Sequence, residues 1–169
     1  MSFLKRLFSK ATPVHEEKKE STLNDDGEGL PDDIYAQIKT LSLEGDGLAE
    51  TQNYKAAIRS YKLAWDLLPE PKNHWNASTW LIAALADSYF LLGENEATRE
   101  ALQYGMTCPN AVGNPFLHLR LGQAQFNLGN EDRAADELMR AYMGGGLEIF
   151  EIEDRKYLVF LKTRAMIAD

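Results

Sequence analysis

The chain has 169 residues, 44% of them apolar, and a formal net charge of −8. That is enough apolar material for one domain with a proper core. The acidic balance argues against nucleic acid as the main partner, since phosphate binding needs clustered Lys and Arg. It suits a basic protein partner, because unlike fields speed and orient encounter, although many cytosolic proteins are acidic for solubility alone. The single cysteine, Cys108, excludes an internal disulfide and fits a reducing, cytoplasmic compartment. It precedes Pro109 at an expected helix end and reads as a small buried apolar residue.

Residues 1–10 (Met1-Ser2-Phe3-Leu4-Lys5-Arg6-Leu7-Phe8-Ser9-Lys10) are basic and amphipathic, with Phe3, Leu4, Leu7 and Phe8 on one helical face. The apolar part is too short and interrupted for a signal peptide. No run in the chain reaches the about 20 residues of a membrane span. Contact of residues 1–10 with an anionic membrane is one reading; a docked or loosely ordered terminus is the favoured one. Residues 11–30 hold Glu16-Glu17-Lys18-Lys19-Glu20 and Asn24-Asp25-Asp26-Gly27-Glu28-Gly29 and almost nothing apolar. They read as a flexible charged linker, unable to offset the entropy of ordering. The folded domain is expected over 31–169, opening on Pro31-Asp32-Asp33 with proline and acids in a first helical turn.

From there the 3.6-residue periodicity is nearly continuous and no stretch alternates like a strand. The spacing predicts helices over 32–50, 54–68, 75–92, 95–106, 115–128, 131–143 and 151–167. Within them, Leu121-Gly122, Gly129, Ala134 and Ala141 place small residues where paired helices approach too closely for larger side chains. This skeleton resembles a tetratricopeptide repeat (TPR). Two further second helices match it, with Tyr54, Ala57, Tyr61, Ala64 and Pro69, and with Ala97, Ala101, Tyr104 and Pro109. Gly45, Ala86 and Gly122 take the tight position of the first helices. The small residues at 57, 97 and 134 imply loop insertions beyond the about 34-residue repeat, with repeat two one residue short around Glu94-Asn95-Glu96. The resemblance implies an all-α fold: three TPR-like hairpins in a short right-handed solenoid, with the last helix capping the final repeat.

No catalytic constellation accompanies these helices, so the chain is not expected to be an enzyme, and neither cofactor nor metal is expected. His15, His74 and His118 are far apart and none has a partner at metal-ligand spacing. His118 reads as a packed or hydrogen-bonded helix residue. No glycine-rich loop follows a strand, and Gly144-Gly145-Gly146 follows a helix, as glycines at helix ends do.

In a TPR stack the first helices line a concave groove. Its expected lining includes Lys39, Ser42, Asp46, Ala49 and Glu50 in repeat one. Repeat two supplies Trp80, Ala83, Asp87, Phe90 and Leu91. Repeat three supplies Phe116, Leu119, Gln123, Phe126 and Asn127. Of these, Trp80, Asp87, Phe90, Phe116, Gln123 and Phe126 are the candidate partner contacts, with Asp46 and Glu50 as an electrostatic rim. The competing reading has Trp80, Phe90 and Phe126 packing on the C-terminal helix or the N-terminal segment. Co-chaperone TPR domains grip an acidic peptide tail with a Lys/Asn/Arg clamp. The matching positions here are Ser42, Asp46, Ala84 and Phe116, with only Arg120 fitting, so that ligand is not expected.

Longer stretches resemble a family of small bacterial TPR proteins. They are Leu68-Pro69-Glu70-Pro71-Lys72, Trp75-Asn76-Ala77-Ser78-Thr79-Trp80, Gly113-Asn114-Pro115-Phe116-Leu117-His118-Leu119-Arg120-Leu121-Gly122-Gln123, Ala134-Ala135-Asp136-Glu137-Leu138 and the tail from Glu153 to Lys162. Arg155 stands where the tail pattern usually has proline. The resemblance implies an immunity protein that neutralises a cognate toxin by occlusion, with a basic bacterial toxin domain as partner. The rival expectation is a TPR scaffold or assembly factor, membrane-associated through residues 1–10.

Overall fold

The computed structural model of the chain describes residues 29–167. The expected segment 1–10 and most of the linker lie outside the described residues. Seven α-helices follow one another: α1 (Asp32–Glu50), α2 (Tyr54–Asp66), α3 (Asn76–Leu91), α4 (Asn95–Gly105), α5 (Pro115–Asn127), α6 (Glu131–Gly145) and α7 (Arg155–Arg164). Short 3₁₀ turns at Lys72–His74 and Leu147–Phe150 precede α3 and α7, and no strand occurs among the described residues. Helices pair in chain order as hairpins α1–α2, α3–α4 and α5–α6. Successive hairpins stack through α2–α3 and α4–α5, and the first helices α1, α3 and α5 lie side by side. This is a helical solenoid of three hairpins closed by a last helix.

The small residues set the hairpin geometry. A Cβ on Gly122 would fall 2.8 Å from Leu138 Cγ and 2.9 Å from the Leu138 backbone nitrogen. A Cβ on Gly45 would run into the Tyr61 ring. Repeat two corrects the expected register. Ala97 is only half-buried, whereas Thr98 is fully buried and Gly105 approaches Ile82 so closely that a Cβ would lie 2.7 Å from its Cγ2. The aligned small residues are therefore Ala57, Thr98 and Ala134, each followed seven positions on by Ala64, Gly105 and Ala141. Each also stands twelve positions after Gly45, Ala86 and Gly122. Repeat two is not short. Its Thr98 stands in for alanine because its hydroxyl turns back onto the Glu94 carbonyl at 2.9 Å.

The turn inside each hairpin needs one residue in the left-handed region. Gly93 and Gly129 provide it at φ +79° and +77°, and Gln52 does so in repeat one at φ +61°. The expected helix over 151–167 is shorter than predicted. Gly146 at φ +63° ends α6, the 3₁₀ turn follows, and Asp154 starts α7 by accepting from the Lys156 N–H.

Apolar faces gather into three clusters along the stack. The first holds Ile38, Tyr61, Leu68 and Leu81, with Trp65 and Trp80 against it. The second holds Ile82, Leu102, Leu117 and Leu121, again touching Trp65. The third holds Leu119, Leu138, Phe150, Tyr157 and Leu161. Helix α5 thus sends Leu117 and Leu121 to one cluster and Leu119 to the next.

Candidate functional site

The concave face is built by α1, α3 and α5, and its candidate residues divide into two groups. Asp87, Phe90, Phe116, Gln123 and Phe126 come together with Arg120 in one network across α3 and α5. Asp46, Glu50 and Trp80 lie toward the first hairpin.

Arg120 is the hub of the network, although only 6% of it is exposed. Its Nε donates to Asp87 Oδ1. Its Nη1 donates to Gln123 Oε1 at 2.7 Å and to Glu153 Oε2 at 2.6 Å. The guanidinium lies over the Phe90 ring at 4.7 Å and the Phe116 ring at 5.1 Å, a geometry in which the ring quadrupoles attract the cation. Gln123 also donates through Nε2 to Glu153 Oε2 at 2.9 Å. Burial opposes the charge on Arg120, but Asp87 and Glu153 outweigh it and raise its pKa. For Asp87, burial pushes the carboxyl up and the adjacent guanidinium holds it back only in part.

Glu153 and Tyr157 belong to the C-terminal segment, so this segment occupies part of the face. Tyr157 meets Phe126 edge-on at 5.6 Å and Phe90 at 6.4 Å, and Phe126 also packs on Phe160 at 4.9 Å. The Tyr157 hydroxyl donates to Asn127 Oδ1 at 3.2 Å. Phe90 and Phe126 therefore contact the C-terminal helix. Trp80 is half-buried against the first cluster, and Phe116 against the second. Asp46 is 3% exposed and accepts from the Tyr61 hydroxyl at 2.8 Å. Burial and then Asp46 itself drive the Tyr61 pKa far up, so the phenol stays a donor.

The remainder of the face is open. Glu50 and Lys39 are exposed, with Lys39 Nζ over the Tyr35 ring at 5.4 Å. Two apolar side chains also stand out to solvent, Leu43 at 61% and Leu91 at 45% exposure. Leu43 shares a side of α1 with Lys39 and Glu50, being four residues from one and seven from the other.

Sequence reasoning named the helix positions but not the hub. Glu153 lies 33 residues beyond Arg120 and no local pattern joins them. The signal that existed was charge: Arg120 is the one arginine or lysine in α5. His118 also acquires partners, with Nδ1 2.6 Å from Glu137 Oε2 and Nε2 2.8 Å from the Val112 carbonyl. Cys108 is buried, and burial pushes its thiol up to about 11. Among the described residues no group of His, Cys, Asp and Glu could hold a metal, and no helix is long and apolar enough to cross a membrane.

Solved structures similar to this chain include TPR domains. The second TPR domain of human RPAP3, in complex with the HSP70 peptide SGPTIEEVD, aligns with TM-score 0.59 at 16% identity, over 77% of this chain and 96% of that one. The first TPR domain of Spaghetti (RPAP3), bound to the HSP90 peptide SRMEEVD, aligns with TM-score 0.57 at 20% identity, over 76% of this chain and 90% of that one. The chain has the tetratricopeptide-repeat fold. Tetratricopeptide repeat protein 36 of Danio rerio is 25% identical over 113 residues, spanning 65% of this chain. The chain matches 57% of the length of that relative. No family model matches the sequence.

Proposed function

We propose that the chain is a non-enzymatic protein-binding module that takes its partner on the open concave face of its first two hairpins. The partner we infer is a basic bacterial toxin domain, neutralised by occlusion, which makes the chain an immunity protein. The observation that carries this reading is the state of Arg120. The guanidinium is already matched by Asp87 and Glu153 of the same chain. An acidic tail such as those bound by the RPAP3 domains would need cations that this network has consumed. What the face offers instead is Glu50 and Leu43 exposed on one side of α1 and Leu91 exposed on α3, and an acid on the same face as apolar anchors favours Arg and Lys on the ligand.

The test is co-expression with the toxin gene beside this one in the native genome. Growth rescue by the wild-type chain, lost in Glu50→Lys/Leu91→Asp with the fold intact by circular dichroism, supports the proposal. Failure of the wild-type chain to protect refutes the immunity role. Unchanged rescue by the variant places the interface elsewhere. The second reading, a scaffold or assembly factor, is favoured by the architecture shared with peptide-binding TPR domains. It predicts capture of a host partner that depends on Glu50 and Leu91, without toxin protection.

A further inference from the structure

We propose that the two ends of the solenoid dock on each other: the outward side of α7 in one copy takes the outer side of α1 in the next, so that copies associate head to tail. This contact uses a different side of α1 from the concave face and goes beyond the function proposed for that face.

In a stack of hairpins the inner helices are covered on both sides, while the first and last are covered on one. Here α1 packs on α2 and α3, and α7 packs on α6 with Tyr157 and Leu161 buried. Asp33, Gln37, Thr40 and Glu44 of α1 are all exposed, and their spacings of four, three and four residues set them in one row. Lys39 is five residues from Glu44, which is about 140° around the helix. The row therefore holds two acids and no base. A shallow hollow of about 380 Å³ opens in it, lined by Ala36, Gln37, Thr40 and Leu41.

The other end has the opposite character. Helix α7, RKYLVFLKTR, carries four basic residues and no acid. Arg164 turns back to Glu131 and Asp132, and Lys156 pairs with Asp154 at 3.4 Å. Arg155, Val159 and Lys162 are exposed at spacings of four and three, so they form the outward row of the helix. Val159 is 59% exposed and stands between the two cations.

The ends match in charge and in relief. Asp33 and Glu44 are about 16 Å apart along α1, and Arg155 and Lys162 about 10 Å apart along α7; the long, flexible stems of the cations span the difference. Val159 would meet the hollow between the acids. Pairing α1 with α1 would oppose carboxylates, and pairing α7 with α7 would oppose cations, so only unlike ends attract. A contact between two different faces does not close at two copies and leads to chains or rings. One helix laid on another buries less than the about 1,200 Å² of lasting interfaces, so the association is weak and rises with concentration.

The experiment is sedimentation velocity on the full chain over a wide range of concentration. The wild type should form species above one chain mass, with association at least about tenfold weaker in 1 M salt, where the screening length is about 3 Å, than at low salt. Asp33→Lys/Glu44→Lys and Arg155→Glu/Lys162→Glu should each sediment as single chains, with the fold retained by circular dichroism. Mixing the two variants should restore association, since each supplies the charge the other needs. Val159→Asp should weaken association at both salt levels. A wild type that stays a single chain throughout at low salt overturns the proposal. So does association that persists in either reversed variant alone, or a mixture that fails to associate. Neither variant alters Leu43, Glu50 or Leu91, so the result leaves the reading of the concave face standing on its own test.

Discussion

Replacing Arg120 by methionine tests the hub directly. The substitution keeps a long apolar stem between Phe90 and Phe116 but removes the cation from two carboxylates. Their side chains are only 5% exposed for Asp87 and 10% for Glu153. Breaking a buried ion pair by deleting one partner costs about 3–5 kcal/mol, because the surviving charge is left uncompensated. Glu153 sits in the turn before α7 and can rotate toward water, so most of the cost falls on Asp87 in α3. We expect a loss of about 3 kcal/mol at pH 7, read as a lower urea midpoint. The melting temperature should fall by about 10 °C. The loss should depend on pH in one direction. Asp87 already has a raised pKa from burial, and removing Arg120 raises it further. The native state then holds a proton that the unfolded chain has released, so stability of the variant relative to wild type recovers as pH falls from 7 to 5. Neutralising all three groups, in Arg120→Met/Asp87→Asn/Glu153→Gln, should restore most of the loss. A loss under about 1 kcal/mol at pH 7, or a gap that does not narrow in acid, would refute the assignment of Arg120 as the buried tie between α3, α5 and the C-terminal segment.

Four further outcomes follow from the geometry. Gly122→Ala should destabilise by about 1–2 kcal/mol, because overpacking against the Leu138 backbone outweighs the gain in helix propensity. Gly47→Ala, where a Cβ meets nothing within 4 Å, should stabilise by about 0.5–1 kcal/mol; thermal melts of the pair check both signs. Gln52→Gly relieves a left-handed backbone at the first hairpin turn and should stabilise by about 0.5–1 kcal/mol, against a neutral result if that turn carries no strain. His118 faces acceptors from both ring nitrogens, Glu137 on α6 and the Val112 carbonyl, which only the imidazolium satisfies. Its hydrogen bond to Glu137 raises its pKa above 6.5, with burial and, more weakly, Arg140 opposing, so this stabilisation is complete below pH 6.5 and fades as pH rises through the folded pKa. Urea midpoints of wild type and His118→Gln should diverge by about 1 kcal/mol at pH 6 and converge at alkaline pH.

The hairpins were legible because backbone proximity leaves a mark at fixed spacing. Gly122, Ala134 and Ala141 announce the third repeat, and helix bounds follow from turn chemistry at Gly93, Gly129 and Asn114. Register in repeat two was misread for a physical reason: the buried small position is occupied by Thr98, whose hydroxyl is satisfied locally, while the neighbouring Ala97 looks the better match by type. The site was legible only in part. Periodicity puts Asp87, Phe90, Gln123 and Phe126 on one face, but whether that face is open depends on where a later segment lands. Glu153 and Tyr157 meet it through tertiary folding, a pairing over 30 residues that no periodicity encodes.

The division of α5 between two apolar clusters bears on how the molecule comes apart. Leu117 and Leu121 are committed to one cluster and Leu119 to another, so melting either strips a face from the same helix. Trp65 links the remaining pair in the same manner. Solenoids built from self-sufficient units can fray one unit at a time; here shared side chains couple neighbours, so denaturation should be a single concerted transition rather than a staircase.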